Sequence, residues 1–310
     1  MRKLLILSDC GQNVPHLTDA FETVALPHDA PAELRLREVA EAEVIIGEPS
    51  LAELSAAKKL KWVQMTWAGA DRYLSGGFPK DVLLTTASGA FGETIAEHAL
   101  AMLFALCRRL PAYQKARKWQ DLGCEKRIAG STALIFGCGN IGSAIARRLQ
   151  AIGVHTIGVC RAARQPRPHF EALTTLFCAE AFLQEADFIL CALPSDETTA
   201  RYFDERRLSQ CKDDAVLINV GRGSLIDLSA LTKLMQAGKL FGAGLDVTEP
   251  EPLPPEHPLW AMQNVILTPH VAGVSFGHLP ETEEKIWAIC RENLQNYLDG
   301  RPMRNQVNTL

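Results

Sequence analysis

What the chain of 310 residues lacks narrows its function before any motif is read. None of its nine cysteines stands in a Cys-x-x-Cys pair, so neither a zinc knuckle nor a metal set is expected. The odd count also argues against a disulfide framework and for a reducing compartment, the cytosol by default. Charge of one sign is missing as well. The 32 basic and 36 acidic side chains leave a formal −4, which gives no global attraction to nucleic acid or to an anionic membrane. No apolar run approaches the roughly 18 residues of a membrane span. The opening Arg2-Lys3 and the apolar residues 4–7 break at Ser8-Asp9, far short of a signal-peptide core, and read as a first strand. Repeats of solenoid length and low-complexity tracts are absent too.

What is present is a 47% hydrophobic chain long enough for about two domains. Short apolar runs at 4–7, 44–46, 62–65 and 82–85 alternate with helix-like stretches, the pattern of βα repeats on a parallel sheet. Residues 93–118 carry apolar side chains at helical spacing, with Pro111 expected to break or kink the run, and read as a helix crossing between domains. A second block supplies strands at 132–136, 155–159, 188–193, 215–219, 241–245 and 265–267, enough for a complete doubly wound sheet. An amphipathic helix over 280–298 is expected to return to the first domain. The fold class is therefore α/β with two doubly wound parallel sheets. One domain is expected over 1–99 and 279–310, the other over 100–278.

The chemistry begins at Gly137-Cys138-Gly139-Asn140-Ile141-Gly142, set between the strand at 132–136 and a helix at 143–151. In that setting the glycines match the fingerprint that holds a dinucleotide pyrophosphate. Gly137 makes the tight turn, Gly139 admits the phosphates, and Gly142 lets helix and strand approach. An NAD site usually places an acid about 20 residues further on, for the ribose 2′-hydroxyl. Here the second strand ends in Val159-Cys160-Arg161, and Arg161, Arg164 and Arg167 cluster with His169. That loop suits a 2′-phosphate, so NADP(H) is expected over NAD(H). Cys138 reads as a small buried hydrophobe and not as a redox switch.

Three polar residues stand at the ends of consecutive expected strands: Arg222 in 219–224, Glu251 in 246–252 and His270 in 267–273. Carboxyl ends of the strands line the ligand crevice of a doubly wound sheet, so the three can converge. An arginine that clamps an anion, a carboxylate that orients an imidazole, and an imidazole that moves a proton suffice for hydride exchange at a 2-oxo acid.

With those segments, and with Leu225-Ile226-Asp227, Leu245-Asp246-Val247, Glu251-Pro252-Leu253 and Thr268-Pro269-His270 in order, the chain resembles the D-isomer-specific 2-hydroxyacid dehydrogenase family along nearly its whole length. The resemblance implies a Rossmann dinucleotide domain inserted into a flavodoxin-like substrate domain. It assigns catalysis to Arg222, Glu251 and His270, with Glu249 the competitor for the acidic role. It implies cofactor contacts at Gly137, Gly139, Asn140, Ile141, Gly142, Arg161, Arg164, Leu193, Pro194, Val220, Asp246, His270 and Gly273. Substrate contacts are implied at Ala68, Gly69 and Ala70, whose backbone amides form an anion nest, together with Arg222 and His270. Alternatively, the 66–71 stretch is simply a loop before a helix capped by Asp71. Trp67 walls the pocket or sits in the core, and His98 is expected to pack between domains.

On this reading the chain is a cytoplasmic homodimer that reduces a small 2-oxo acid, glyoxylate or hydroxypyruvate by preference. The helix at 93–110, Tyr113 and Trp119 are candidates for the dimer contact. Two other functions remain open on the same fold: phosphite oxidation, and a nucleotide-sensing corepressor that binds partner proteins.

Overall fold

In a computed structural model of the chain, the described residues are 2–8, 14–162, 165–274 and 276–308. They form two compact units, one of 1–91 with 274–310 and the other of 92–273. The second unit thus takes the whole helix that begins at Gly92, so the division falls N-terminal of the expected 99/100 junction.

In the first unit the chain runs β1 (Lys3–Leu7), β2 (Glu22–Leu26), α1 (Ala32–Glu41), β3 (Val44–Gly47), α2 (Leu51–Ala56), β4 (Trp62–Gln64), α3 (Asp71–Leu74) and β5 (Leu83–Thr85). The strands pair in the order β2-β1-β3-β4-β5, every pair parallel. That is the flavodoxin-like order. β3 is buried along its full length, which explains its unbroken apolar sequence. β2 is an edge strand whose side chains are largely exposed, and the hydrophobic pattern did not disclose it.

The second unit runs α4 (Gly92–Cys107), α5 (Leu110–Ala116), β6 (Thr132–Phe136), α6 (Asn140–Ala151), β7 (His155–Cys160), β8 (Ala172–Thr175), β9 (Phe188–Cys191), α7 (Glu205–Gln210), β10 (Val216–Asn219), α8 (Leu228–Gln236), β11 (Gly242–Leu245) and β12 (Val265–Leu267). Its seven parallel strands lie in the order β12-β11-β10-β9-β6-β7-β8, the Rossmann arrangement with one further strand. The reversal falls at β6, between β7 and β9. α4 buries Met102, Leu103 and Leu106 in the same core as Ile135, Leu190 and Ile218 of the sheet. Pro111 does not kink this helix. α4 stops at Cys107, Arg109 turns left-handed at φ 54°, and Pro111 lies in the first turn of α5.

The last helix, α9 (Pro280–Leu298), belongs to the first unit and buries Ile286, Ile289, Cys290, Asn293 and Leu294. Asn293 is fully enclosed. Its amide donates to Gln64 Oε1 at 2.7 Å and to the Arg304 carbonyl at 2.9 Å, and its oxygen accepts from the Arg304 N–H at 2.7 Å. Tyr297 stacks on Trp62 with ring centroids 5.2 Å apart. Removing the Asn293 amide leaves buried polar groups unsatisfied, each costing about 1–3 kcal/mol. Asn293→Ala is therefore expected to destabilise the protein by about 3 kcal/mol, read as a lowered midpoint of urea unfolding.

Candidate active site

Because all seven strands of the second unit are parallel, their carboxyl ends lie on one edge, and every candidate group of this unit follows one of those ends. After β6, Gly137 takes φ +104°, and a Cβ on Gly142 would stand 1.7 Å from the Gly137 carbonyl oxygen. Helix α6 can therefore begin against its strand only with glycine at 142. A Cβ at Gly139 would meet no atom within 4 Å, and Gly139 caps α6 without any side-chain bond. The helix start so formed has free N–H groups and the positive end of the helix dipole, which fits a dinucleotide pyrophosphate. Asn140 and Gly139 are exposed there, while Ile141 is half-buried. The Asn140 side chain lies against Gly92, where a Cβ would approach Oδ1 to 2.2 Å. Sequence reading missed that contact.

Cys138 is buried and donates its thiol to the Val159 carbonyl at 3.5 Å, and burial pushes the thiol up to about 12. Such a thiol is almost never a thiolate at neutral pH. At the end of β7 the Arg161 side chain is 88% exposed, with Asp196 Oδ2 at 3.4 Å. Arg167 instead folds back, donating to the Cys138 carbonyl at 2.7 Å and bracing the glycine turn. His169 is exposed at φ 66°, and Arg164 lies outside the described residues.

Leu193 and Pro194 follow β9 and Val220 follows β10. In the next turn Asn219 holds both neighbours, accepting from the Gly221 N–H at 3.1 Å and donating to the Arg222 carbonyl at 2.9 Å. A Cβ on Gly223 would stand 2.0 Å from the Thr248 carbonyl, so the Arg222 turn and the loop after β11 nest directly against each other. Arg222 is half-buried, and its Nη1 donates to the Gly221 carbonyl at 2.8 Å.

His270 Nδ1 lies 3.0 Å from Glu251 Oε2, and Glu251 Oε1 accepts from the Thr248 N–H at 3.0 Å. Of the two acids in 249–251, Glu251 is the one that meets the ring. The pair is accessible, with side chains 52% and 40% exposed. With an ionised carboxylate at Nδ1, that nitrogen carries the hydrogen, and Nε2 is the ring atom outside the pair.

Asp246 is placed differently from a ligand-facing group. It is 2% exposed and accepts from the Thr268 hydroxyl at 2.7 Å and from the N–H groups of Val271 at 2.9 Å and Ala272 at 3.0 Å. Its own carbonyl accepts from the His270 N–H at 2.8 Å. His98 Nε2 stands 3.0 Å from the Thr268 oxygen, which can accept from it. Asp246, Thr268 and His98 thus hold the His270 segment from beneath. The family resemblance points to Asp246 as a cofactor contact and to the Thr268 segment, but nothing in the sequence shows that the two, with His98, support the His270 segment. Gly273 closes this segment and is half-buried.

In the first unit, Ala68, Gly69 and Ala70 follow β4. Ala70, not Asp71, is the N-cap of α3, and no side chain caps this helix. Asp71 is the first helical residue, so the expectation of an Asp71 cap is corrected. Among the described residues, none accepts from the N–H groups of 68–70. Trp67 is 46% exposed, with the Arg72 guanidinium 5.8 Å from its ring, so it is not a core residue.

A seven-stranded parallel sheet with an uncapped glycine turn at its switch point, and an acid-backed histidine two strand ends beyond an arginine, defines a dinucleotide-dependent oxidoreductase. The chain belongs to the D-isomer specific 2-hydroxyacid dehydrogenase family, whose NAD-binding domain matches residues 100–272. A glyoxylate reductase of Korarchaeum cryptofilum is 33% identical over 276 residues, 85% of this chain and 81% of that protein. A family protein from Aeromonas salmonicida superposes with a TM-score of 0.85 at 33% identity over 99% of both chains. An NADPH-dependent glyoxylate/hydroxypyruvate reductase from Sinorhizobium meliloti, solved with NADP and sulfate, gives 0.84 at 25% identity, over 99% of this chain and 98% of that one. Among the described residues no helix is long and apolar enough to cross a membrane, and no group of side chains could hold a metal ion.

Asp246→Asn would set an amide N–H against a backbone N–H that now has an acceptor. Charge-assisted bonds of this kind contribute about 1.5–3 kcal/mol each. The variant is expected to lose about 2–3 kcal/mol of stability in thermal unfolding and to fall in kcat, since His270 loses its footing.

Proposed function

We propose that this 2-hydroxyacid dehydrogenase works as an NADPH-dependent reductase of small 2-oxo acids, with glyoxylate or hydroxypyruvate as substrate. The observation that carries the reading is the His270–Glu251 pair at 3.0 Å on an accessible ring, next to the Arg222 turn. When bound along 137–142, the reduced dinucleotide supplies the hydride. His270 donates the proton from Nε2 to the carbonyl oxygen of the substrate. Glu251 fixes the tautomer from Nδ1 and stabilises the imidazolium that begins the reaction. Arg222 meets the carbonyl oxygen and the carboxylate of the substrate as a permanent cation. The amides of Ala68, Gly69 and Ala70 are the second anion contact.

The preference for NADPH is supported by the end of β7, where Cys160 and the exposed Arg161 stand in place of an acid. The similar reductase from Sinorhizobium meliloti is NADPH-dependent. In this reading the protein is a cytosolic homodimer, for which Phe104, Leu110 and Trp119 offer exposed apolar side chains. Domain roles follow the same lines, with the dinucleotide on the 100–278 segment and the substrate loop on 1–99.

Two measurements test the proposal. NADPH and NADH oxidation against glyoxylate, hydroxypyruvate, pyruvate and phenylpyruvate is expected to give turnover with a lower KM for NADPH, and a lower KM for NADH overturns the phosphate assignment. Acid–base assistance is worth about 10² to 10⁴ in rate, so His270→Ala should lose at least that much kcat while dinucleotide binding survives. An active His270→Ala enzyme removes the histidine from its role.

A further inference from the structure

One acid of the first unit plays no part in the chemistry above. Glu48 follows β3, is 4% exposed, and reaches the loop after the neighbouring strand β4. Its Oε1 accepts from the N–H of Thr66 at 2.7 Å and of Trp67 at 3.1 Å. The Thr66 hydroxyl lies 3.0 Å from Oε2 and 3.1 Å from Oε1. Both amides therefore sit on one oxygen, and among the described residues the Thr66 hydroxyl, shared with the first, is the sole hydrogen-bond partner of the other. A neutral carboxylic acid fits this division: its carbonyl oxygen takes the two N–H groups, and its O–H donates to Thr66 Oγ1.

Among the described residues, no cation is hydrogen-bonded to the Glu48 carboxyl group, and Arg72 acts on it only through space. From α3, the Arg72 guanidinium donates to the Glu48 and Pro49 carbonyls at 3.1 and 2.9 Å and not to the carboxyl group. The Tyr73 hydroxyl, also from α3, donates to the Pro49 carbonyl at 2.6 Å. From α9 the thiol that faces it is Cys290, itself fully buried. Burial outweighs the hydrogen bonds and the more distant Arg72, and pushes the Glu48 carboxyl up to about 7.

The loop beyond Thr66 and Trp67 is otherwise tied by its carbonyls. Ala68 O accepts from the Ser88 hydroxyl at 3.4 Å, and Ala70 O accepts from the Tyr73 and Leu74 N–H groups. We propose that Glu48 is a positioning residue for the substrate: in its neutral form it fixes the Thr66 and Trp67 amides, so that the next three N–H groups are presented to the substrate carboxylate with no negative charge beneath them. This rests on the reading that the 68–70 amides meet the substrate. An ionised Glu48 keeps the two amides but sets an anion, only partly offset by Arg72, behind an anion site.

The sign follows from the raised carboxyl. Below about pH 7 Glu48 is neutral and the loop favours an anion; above it the charge opposes one. Stability moves the same way, because the unfolded chain ionises at the ordinary value near 4.5. Folding free energy is lost as pH rises from there to about 7 and is level beyond. Glu48→Gln reproduces the neutral hydrogen-bond pattern at every pH.

The test compares wild type, Glu48→Gln and Glu48→Ala between about pH 5.5 and 8.5, where the neutral and ionised forms exchange. The ratio of the wild-type to the Glu48→Gln KM for glyoxylate is expected to climb about ten-fold from the acid to the alkaline end, with no such trend in the KM for NADPH. Glu48→Ala should show a raised glyoxylate KM throughout, which the glutamine variant does not. The excess melting temperature of Glu48→Gln over wild type should grow from the acid end to about pH 7 and be level beyond. A melting difference without a pH-dependent KM ratio makes Glu48 structural only and overturns the proposal. Should the wild type reduce no 2-oxo acid, the proposed function fails separately, and titration calorimetry with oxamate still decides Glu48. There too a pH-independent affinity ratio, or no oxamate binding by the wild type, overturns it.

Discussion

Parallel pairing is the constraint on which the rest of the structure depends. Parallel strands cannot be joined by a hairpin, so each returns through a crossover, and several of these carry a helix that packs on a face of the sheet. Both faces are then covered, and strands such as β9, β10 and β11 are buried throughout. Polar chemistry has only the strand ends left to occupy. The glycine turn after β6, the Arg222 turn after β10, Glu251 after β11 and His270 after β12 all use the carboxyl edge. There the unpaired N–H groups of turns and helix starts favour anions, the shared feature of a pyrophosphate and a 2-oxo acid.

Holding an imidazole at such an end requires more than a strand. His270 has φ 55°, a left-handed conformation that costs a residue with a Cβ about 1–2 kcal/mol. The cost is offset within two residues on either side. Asp246 takes the Thr268 hydroxyl and the Val271 and Ala272 amides on its carboxylate and the His270 amide on its carbonyl. Four donors on one buried residue outweigh one unfavourable torsion, and they fix the backbone from which the ring reaches Glu251.

The elements legible in the sequence were those whose physics is local. Continuous apolar runs gave the buried strands, and the helical spacing of 280–298 gave α9. The two strands that escaped, β2 and β8, are both edges, β2 largely exposed and β8 mostly half-buried with two threonines among its four residues, so neither has an apolar run to reveal it. Pro111 was read as a helix breaker, yet the chain had already stopped at Cys107 and used the proline to open α5. Of the chemistry-bearing groups, the glycine turn and the Arg222, Glu251 and His270 positions show themselves through spacing. Glu48 does not, and Asp246 is marked only as a cofactor contact through the resemblance, because nothing in an acid beside a strand tells whether it faces water or a neighbouring loop. Arg167 shows the same limit from the other side, an arginine suited to a phosphate that braces a carbonyl instead.

Asp246 and Glu48 are in fact one device used in both units. Each follows a parallel strand, β11 or β3, and each binds two successive backbone amides from the loop after the next strand, β12 or β4. A parallel register brings about this pairing, since adjacent strands end side by side and the first loop can reach beneath the second. The difference lies in how the oxygens are used. Asp246 divides its donors over both oxygens, a purely accepting arrangement. Glu48 gathers both amides on one and keeps the other beside a hydroxyl that can accept. On the proposed reading, in which His270 donates a proton, a negative charge beneath it is an asset. Beneath amides proposed to take an anion it is a liability, and a buried acid able to shed its charge is the form of the device that suits that place.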